Sequence, residues 1–345
     1  MVSNKVAVII PVHENRVSVE KTIISLHLQD FEDWVGLICH FNVTPAVDKI
    51  IRYWTKKDQR FQLLEVGLAG LVPPLKKAES IIRNGNFKYV AKIDSDDILL
   101  PGKLITQVEF LNHNPGISGC GGQRLIVDQN FKLNLNLQPP YPRSSRVIKR
   151  WFLMENPIVH STFMMRAEEF LQCGGYELAM QHGEDADLFL KVMRQSNFQN
   201  LKETLVAYQV DTTRVRNIED AGLWSRILQL RVLMFYLQMH VDYECLGRSK
   251  NDWIRHVERR VGPLIQGNHW MIFMASKAFS AEAKDIFGIK LRGFVKIFPG
   301  LIRSLMRLRV VLFIPRSLMI YLIWIPRWRA LMKSINRYEM LDAEL

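Results

Sequence analysis

Two groups of carboxylates carry the chemistry that this sequence suggests. Three of them lie within the four residues Asp94-Ser95-Asp96-Asp97, directly after an apolar run that is typical of a buried strand. Mutual repulsion disfavours such a cluster unless a cation compensates it. Mg²⁺ and Mn²⁺ prefer oxygen ligands, and Mg²⁺ is usually bound by one or two carboxylates together with substrate phosphates. The run therefore predicts a divalent cation shared with a diphosphate; the structural alternative is an acidic turn in which Asp96 or Asp97 caps the next helix.

The second group is Glu184-Asp185, which follows a glycine and opens a segment with helical spacing of apolar residues. Acids at a helix N-terminus are stabilised by about 0.3–1 kcal/mol, so a purely structural role is one interpretation. A carboxylate held near a metal without binding it could also act as a general base toward a hydroxyl. Between the two groups lies Asn156-Pro157-Ile158-Val159-His160-Ser161-Thr162, whose histidine fits either a structural or a site role.

The elements that would position these groups alternate along the first third of the chain. Short runs rich in Val and Ile predict strands, and each run is followed by a segment with helical periodicity. The predicted strands are 6–10, 35–41, 61–66 and 89–93, and the predicted helices are 18–28, 45–54, 74–83 and 104–111. This order predicts an α/β fold whose mainly parallel sheet is flanked by helices. The ligand site of such a sheet lies beyond the carboxyl ends of its strands, which is where the acidic run falls.

The pattern is looser after residue 143. It predicts a helix over 146–154, a strand over 160–166, a turn at 173–176, a helix over 184–193 and a last strand over 202–210. Beyond residue 220 the spacing is helical throughout, with prolines as breaks.

Composition narrows the class of protein. The chain has 345 residues, of which 48% are hydrophobic and 23% are charged, and this excludes collagen-like, low-complexity and disordered proteins. Its four cysteines lie far apart without a C-x-x-C pair, so reduced structural thiols are expected rather than a zinc site or a disulfide framework. The first apolar run has five residues, against about 7–15 in the core of a signal peptide, and is expected to form a buried strand.

The last sixth of the chain carries nearly all of the net positive charge. Residues 286–338 contain eleven Lys and Arg and no Asp or Glu, while the whole chain has a net charge of +12. The same segment is rich in Phe, Leu, Ile and Trp, and the spacing of Arg292, Lys296, Arg303 and Arg307 places them on one helix face. A helix that is basic on one side and apolar on the other lies in the headgroup plane of a membrane. Each cation near an anionic leaflet contributes about 1 kcal/mol.

Two other interpretations of this basic segment are an arm that binds nucleic acid and a pair of core helices with a solvated basic face. Its bulky apolar content exceeds what a groove-binding arm needs, so we expect an anionic membrane surface as partner and no nucleic acid. The longest charge-free stretch, 317–326, has ten residues against the roughly 17–25 that a span requires, so no transmembrane helix is predicted.

Taken in order, the motifs resemble those of the family 2 glycosyltransferases, the inverting, nucleotide-sugar-dependent class with a GT-A fold. The resemblance extends over about residues 6–210. The segments that carry it are VAVIIPVHEN at 6–15, KYVAKIDSDDILLPGKL at 88–104, NPIVHSTFMMR at 156–166, GGYELAMQHGEDADLFLKV at 174–192 and AYQV at 207–210.

The resemblance implies a role for individual residues. Asp185 would be the catalytic base, with Glu184 beside it orienting the acceptor. The donor nucleotide would be bound by Pro11, His13, Glu14, Asn42, Asp94, Ser95 and Asp97. The acceptor side would be formed by Asn156, His160 and Gly175. A Mn²⁺ or Mg²⁺ ion would be held by Asp96, Asp94 and Asp211.

The sequence departs from the family pattern at three places. The usual Asp-Asp-Gly-Ser after the second strand is replaced by the segment 40–44, HFNVT, in which Asn42 is the nearest substitute for an aspartate. The usual Asn-Gly-Gly-x-Ser-x-Ala-x-Asn stretch is replaced by 68–77, where Lys76 and Lys77 could meet phosphates or solvent. Asp211 stands where the family has a histidine, and is either a second metal ligand or a polar turn residue.

The resemblance implies an enzyme that moves one sugar from a nucleotide diphosphate sugar, expected to be a UDP-sugar, to a hydroxyl of a glycan or lipid-linked acceptor. The Gln-x-x-Arg-Trp motif of processive synthases does not follow Glu184-Asp185, which favours the addition of a single sugar. We expect a GT-A domain over 1–215, a helical extension over 216–285 and basic amphipathic helices over 286–345. The expected location is cytoplasmic, peripheral on the inner face of the membrane.

One other function stays open, and a second is disfavoured. A catalytically silent glycan- or nucleotide-binding scaffold could have the same fold. A sugar-phosphate nucleotidyltransferase should instead open with a Gly-rich loop after the first strand, and the segment 11–14, PVHE, is not one.

Overall fold

A computed structural model describes residues 4–13, 18–67, 70, 72–133, 140–152, 156–180 and 183–210, apart from the side chains of residues 13, 41 and 150. It therefore covers most of the first predicted domain. The predicted helical extension over 216–285, the basic helices over 286–345, and the residues Glu14 and Asp211 lie outside the described residues.

Strands and helices alternate over the described part of the chain. The strands are β1 (Val6–His13), β2 (Trp34–Phe41), β3 (Phe61–Glu65), β4 (Tyr89–Lys92), β5 (Ile98–Leu99), β6 (Ile117–Val127), β7 (Met164–Arg166) and β8 (Asn197–Gln209). The helices are α1 (Val19–His27), α2 (Pro45–Lys57), α3 (Val72–Asn84), α4 (Lys103–His113), α5 (Ser145–Trp151), α6 (Ala167–Gln172) and α7 (Glu184–Gln195).

All eight strands belong to one sheet, in the order β3-β2-β1-β4-β7-β6-β8-β5. Strands β3, β2, β1 and β4 run parallel, and so do β6 and β8. Strand β7 is antiparallel to both β4 and β6, and β5 is antiparallel to β8. The predicted α/β fold with a mainly parallel sheet flanked by helices is confirmed for the described residues.

The side chains of β1 alternate between the two faces of the sheet, and because both faces are buried the apolar run of this strand is continuous. Val8 and Ile10 face the side covered by α1 and α2, whereas Ala7 and Ile9 face the side covered by α3 and α7, and all four are fully buried. Strands of a parallel sheet bury both faces, so neither face can be polar. Full burial of a large aliphatic side chain contributes about 1.5–3 kcal/mol, which fixes the register of this central strand.

Helix α2 shows how local signals set an element boundary. It begins at Pro45, as predicted, and Thr44 at the N-cap has extended backbone with φ −68° and ψ 156°. Proline at the first helical position loses no hydrogen bond and already has a helical φ.

Several predicted boundaries were wrong. The strand predicted over 160–166 is a short 3₁₀ helix, His160–Thr162, followed by the three-residue strand β7. The helix predicted over 146–154 ends at Trp151, and the last strand begins at Asn197 rather than at residue 202. Strands β5 and β6 were not predicted.

The three described cysteines are unpaired, in agreement with the expected structural thiols. Burial raises the pKa of Cys39 and of Cys120 to about 12, so both are uncharged thiols at neutral pH. Among the residues that the structure describes, no helix combines the length and the apolar character that a membrane crossing needs.

Candidate active site

The carboxyl ends of the parallel strands β1, β2 and β4 lie at the same side of the sheet, which we call its carboxyl edge. His13 at the end of β1 pairs in register with Phe41 at the end of β2, and Ile9 pairs with Lys92 at the end of β4. The acidic run begins two residues after Lys92. The run therefore lies at the edge where the sequence predicted a ligand site.

Asp94 is held by two neighbours. Its Oδ1 accepts a hydrogen bond from the buried Lys92 ammonium, and its Oδ2 accepts one from the Ser161 hydroxyl at 3.1 Å. Burial raises the pKa of Asp94, but the charge of Lys92 and the hydrogen bonds from Lys92 and Ser161 outweigh burial and lower it to about 2. Asp94 is therefore a fixed, ionised carboxylate that keeps about a third of its side-chain surface exposed.

Asp97 has a different environment. It is 1% exposed, and its Oδ1 accepts a hydrogen bond at 2.9 Å from the backbone N–H of Gln209 at the end of β8. Burial and then the charges of Asp94 and Asp96 raise the pKa of Asp97 well above its usual value. Asp97 thus joins β8 to the acidic turn, and its predicted contact with the donor stays a prediction.

The helix-cap interpretation of the acidic run is wrong. Helix α4 begins at Lys103, its N-cap residue is Gly102 with φ 78°, and no side chain caps it. Asp96 is half-buried and lies in the turn before β5. Of the three aspartates, Asp94 and Asp96 are therefore the two with exposed surface at this edge.

A buried chain of polar groups extends from Asp94 across the floor of the site. Lys92 is 2% exposed, and its Nζ lies 2.9 Å from Nδ1 of His160. An ammonium group has only hydrogens to offer, so this ring nitrogen must accept and the ring proton must lie on Nε2. Nε2 then donates to the Tyr176 hydroxyl at 2.8 Å. Burial and the charge of Lys92 lower the pKa of His160 well below its usual value, in agreement with a neutral ring.

The His160 ring is also fixed by aromatic contacts. It stacks on Phe163 at 5.6 Å between ring centroids and 15° between planes, and Phe189 meets its edge at 6.2 Å. A ring held on two sides and bonded at both nitrogens has a single orientation. The predicted placement of His160 on the floor of the site is thus accompanied by a defined role as a bridge between Lys92 and Tyr176.

The acidic pair opens helix α7. Glu184 is 6% exposed and its Oε1 lies 3.6 Å from Nδ1 of His160, whereas Asp185 is half-buried. Asp185 accepts a hydrogen bond at Oδ2 from the Asn156 amide at 2.8 Å and one at Oδ1 from the backbone N–H of Ala186 at 2.7 Å. The acidic pair thus has the structural position at the helix terminus, and its predicted catalytic role stays a prediction.

Both carboxylates of the pair are harder to ionise than usual. Burial and then the charge of Asp185 raise the pKa of Glu184 to about 8. Burial also raises the pKa of Asp185, against the hydrogen bonds from Ala186 and Asn156 and the charge of Lys92, which lower it. Two nearby acids with raised pKa values are typical of a site that exchanges protons near neutral pH.

The donor set at the acidic edge fits a divalent ion that is completed by substrate phosphates. Asp94 and Asp96 offer two carboxylates, which is the number that Mg²⁺ usually takes from a protein when phosphates supply further oxygens. Among the described residues, no group of three His, Cys, Asp or Glu side chains could hold a metal by itself. The predicted third ligand, Asp211, lies outside the described residues.

Of the remaining predicted donor residues, Ser95 is buried in the acidic turn, and the other described ones lie at the ends of β1 and β2. Pro11 is buried in β1, and the side chain of His13 is not described. Asn42 follows β2, is exposed and has a left-handed backbone with φ 47°. Asparagine is one of the few residues that adopt this conformation readily, and the predicted contact of Asn42 with the donor stays a prediction.

The two glycines before Tyr176 differ in their surroundings. Gly175 has φ 59°, and a Cβ built on it would collide with the Glu79 carboxylate, whose oxygens accept from Lys76 and Arg83. The structure thus gives Gly175 a packing role, while its predicted acceptor contact stays a prediction. Of the two lysines at 76 and 77, Lys76 pairs with Glu79 at 2.8 Å.

We expect Gly175→Ala to lower the free energy of unfolding by more than about 1 kcal/mol, because alanine is strained at positive φ and would also meet Glu79. Gly174→Ala is the matched control, since Gly174 has φ 86° but no atom lies within 4 Å of a built Cβ. Urea denaturation of both variants measures the difference. Equal losses of unfolding free energy in the two variants would contradict a clash between the new methyl group and Glu79.

Sequence reasoning missed three residues of this site, Lys92, Ser161 and Tyr176. Lys92 had a signal, because a charged residue inside a buried strand must find a partner. Ser161 and Tyr176 had none, since their contacts with Asp94 and His160 bridge 67 and 16 residues of sequence.

Sequence comparison relates this chain to curated proteins. It is 25% identical over 213 residues to the O-antigen biosynthesis glycosyltransferase WbnJ of Escherichia coli, which covers 59% of this chain and 79% of WbnJ. It is 23% identical over 180 residues to the amylovoran biosynthesis glycosyltransferase AmsE of Erwinia amylovora, which covers 51% of this chain and 64% of AmsE. No protein-family model matches the chain.

Structure comparison relates the fold to solved structures. The crystal structure of S. aureus TarS 1–349 in complex with UDP-GlcNAc has a TM-score of 0.54 and 15% sequence identity, and the match covers 82% of this chain and 89% of that one. The complex of TarS 1–349 with UDP also has a TM-score of 0.54, with 12% identity. At these identities the likeness establishes the fold.

Proposed function

Because this chain is a relative of the glycosyltransferases with a GT-A fold, we propose that it transfers a single sugar, with inversion, from a nucleotide diphosphate sugar to an acceptor hydroxyl. The relationship and the fold are those expected from the sequence motifs. The substrates, the stereochemistry and the non-processive mode are the proposal.

One observation carries this proposal. At the carboxyl edge of the sheet, two partly exposed carboxylates, Asp94 and Asp96, lie in the same site as a half-buried carboxylate with a raised pKa, Asp185. Direct contacts link them, because Asp94 bonds Lys92, Lys92 bonds His160, and His160 lies beside Glu184. A site with two carboxylates that can bind a cation at one end and a proton-accepting carboxylate at the other suits a displacement in which a hydroxyl is deprotonated and a diphosphate departs.

The mechanism follows from these positions. The acceptor oxygen attacks the anomeric carbon from the face opposite the diphosphate, the bond from that carbon to the diphosphate oxygen breaks, and Asp185 takes the hydroxyl proton. Asn156 holds Oδ2 of Asp185, which orients the carboxylate toward the acceptor. Glu184 is more deeply buried than Asp185, which fits a role in shaping the acceptor side rather than in taking the proton.

Asp96 and Asp94 would hold the Mn²⁺ or Mg²⁺ ion, with Asp211 as the proposed further ligand. When bound, such an ion supplies charge neutralisation for the departing nucleotide diphosphate. Within the described residues, Lys92 and Ser161 hold the carboxylate of Asp94 in one orientation.

We propose a UDP-sugar as donor and a glycan or lipid-linked hydroxyl as acceptor. TarS, a protein of the same fold, has been crystallised with UDP-GlcNAc, and WbnJ and AmsE are named for O-antigen and amylovoran biosynthesis. Residues 286–338, with eleven basic residues and abundant apolar ones, support an anionic membrane surface as partner. The proposed location is accordingly the inner face of the membrane.

A panel of nucleotide sugars with MnCl₂ tests the proposal. We expect at least one UDP-sugar to raise the Tm, because a ligand that binds the native state stabilises it, and to be hydrolysed slowly or transferred. If none of the nucleotide sugars raises the Tm or is hydrolysed, the proposed enzyme activity is contradicted and the catalytically silent scaffold is favoured.

We expect turnover to fall as the pH is lowered, with an acid limb above pH 3.8, the ordinary pKa of an aspartate. Asp185 must be ionised to accept a proton, and burial raises its pKa, so it loses its charge earlier on acidification than an exposed aspartate does. Asn156→Ala should move this limb to still higher pH, because the Asn156 hydrogen bond lowers the pKa of Asp185. The measurement is kcat against pH at saturating donor; an unmoved limb in Asn156→Ala would contradict the assignment of the base.

A further inference from the structure

Lys92 occupies a position that the proposed function does not explain. It is the last residue of β4, is 2% exposed and lies between the apolar residues Ala91 and Ile93. Burying an ammonium group is costly unless it is paired and hydrogen-bonded, so its partners must compensate the loss of water. Those partners are Asp94 at the donor end of the site and His160 on its floor.

The charge of Lys92 acts on both ends of the site. It opposes the repulsion among the carboxylates of Asp94, Glu184 and Asp185, and it is a cause that lowers the pKa of each of them. A diphosphate that approaches this edge meets the same carboxylates. Without a buried cation, the acids would repel the incoming anion, and the Asp94 carboxylate would be free to turn.

The contacts of Lys92 also fix the floor beneath the acidic pair. Nδ1 of His160 accepts from Lys92 while Nε2 donates to Tyr176, so one ammonium determines which ring nitrogen carries the proton. Glu184 lies 3.6 Å from the same Nδ1. A change at Lys92 is therefore transmitted to the carboxylate of Glu184 through the His160 ring.

We propose that Lys92 is a positioning residue that holds the donor-binding carboxylate Asp94 and the floor beneath Glu184-Asp185 in one arrangement, so that both donor binding and turnover depend on it. This inference rests on the proposed function, since it assigns the two ends of the site to donor and acceptor. Lys92 itself would contact neither the donor nor the acceptor.

The test compares Lys92→Met with two further variants of the full chain. Removing the partner of a charged group typically weakens an interaction by about 10- to 100-fold, and we expect a loss of this size in affinity for UDP with MnCl₂ and a separate fall in kcat. Lys92→Arg keeps the charge and should recover most of the affinity. Lys103→Met is the matched control.

Lys103 is suited to that control because it is also a buried lysine, 1% exposed, on helix α4. Among the described residues its Nζ has no hydrogen-bond partner, and it lies beside Cys120. Lys103→Met should leave the UDP affinity and kcat unchanged. A loss common to both methionine variants would assign Lys92 a merely structural role and overturn the inference.

A double-mutant cycle shows whether Lys92 acts through Asp94. If it does, Lys92→Met combined with Asp94→Asn should bind UDP no more weakly than Asp94→Asn alone, because neighbours that act as a unit are not additive. If the losses in UDP affinity caused by the two substitutions simply add, Lys92 does not act through Asp94 and this part of the inference is overturned. Should Lys92→Met not fold, Lys92→Gln, which keeps an N–H donor without the charge, is measured in its place with the same expectation.

The outcomes separate this inference from the proposed function. Wild-type protein that binds UDP and turns over a donor, together with a Lys92→Met variant equal to it in both respects, would overturn the inference alone. Wild-type protein that neither binds UDP nor hydrolyses any donor would overturn the proposed function and the inference with it.

Discussion

Replacing Asp185 with asparagine should lower kcat by about 10²- to 10⁴-fold, the usual contribution of a general base. Asparagine has nearly the shape of aspartate but cannot take the acceptor proton. It keeps a side-chain oxygen that can accept a hydrogen bond from Asn156, which bonds Oδ2 of Asp185 at 2.8 Å. The variant should therefore fold and bind the donor normally. Steady-state kinetics and calorimetric titration with UDP and MnCl₂ measure the two properties separately.

Asp48→Asn provides the control for Asp185→Asn. Asp48 also lies in the first turn of a helix, and it pairs with Arg52 at 2.8 Å on the protein surface. The same chemical change there should leave kcat unaltered. An Asp185→Asn variant with weak donor affinity and normal turnover would assign the residue to donor binding instead of to proton transfer.

Replacing Asp96 with asparagine should have the second largest effect, on donor affinity. Asp96 is half-buried at the acidic edge, and the proposed ion would lose one of its two carboxylates in the described site. A lost charged contact of this kind costs about 1.5–3 kcal/mol, which corresponds to a loss of affinity of about 10- to 100-fold. The shift in Tm produced by UDP with MnCl₂ should shrink accordingly.

The matched variant for Asp96→Asn is Asp33→Asn. Asp33 is exposed and directly precedes β2, at the opposite edge of the sheet. Its replacement should leave the UDP-dependent shift in Tm intact. If UDP and MnCl₂ stabilised Asp96→Asn as strongly as the wild-type protein, the acidic run would not be the donor site.

Strands β1, β2 and β4 were predictable because burial on both faces demands continuous apolar runs. Strand β6 lacks that signal because glycines occupy the places where neighbours approach closely. A Cβ on Gly119 would meet Phe198, one on Gly121 would meet Asn200, and one on Gly122 would meet Leu205. The packing that requires these glycines comes from β8, about 80 residues later in the chain, so no local pattern could reveal the strand.

The candidate site was predictable at the level of its carboxylates and not at the level of their partners. The clustering of Asp94 and Asp96, and of Glu184 and Asp185, is visible along the chain. The contact between Lys92 and His160 joins residues 68 positions apart and depends on how β7 pairs with β4. Sequence reasoning therefore identified the two groups of carboxylates, and the folded chain was needed to find the polar contacts between them.

The anchoring of β8 has a consequence for the acidic turn. The backbone N–H of Gln209 bonds Asp97, and that of Val210 bonds the carbonyl of Val127, so the strand is pinned at its last residues. The end of β8 and the turn that carries Asp94 and Asp96 are therefore tied together, so that a displacement of the last strand would also displace this turn.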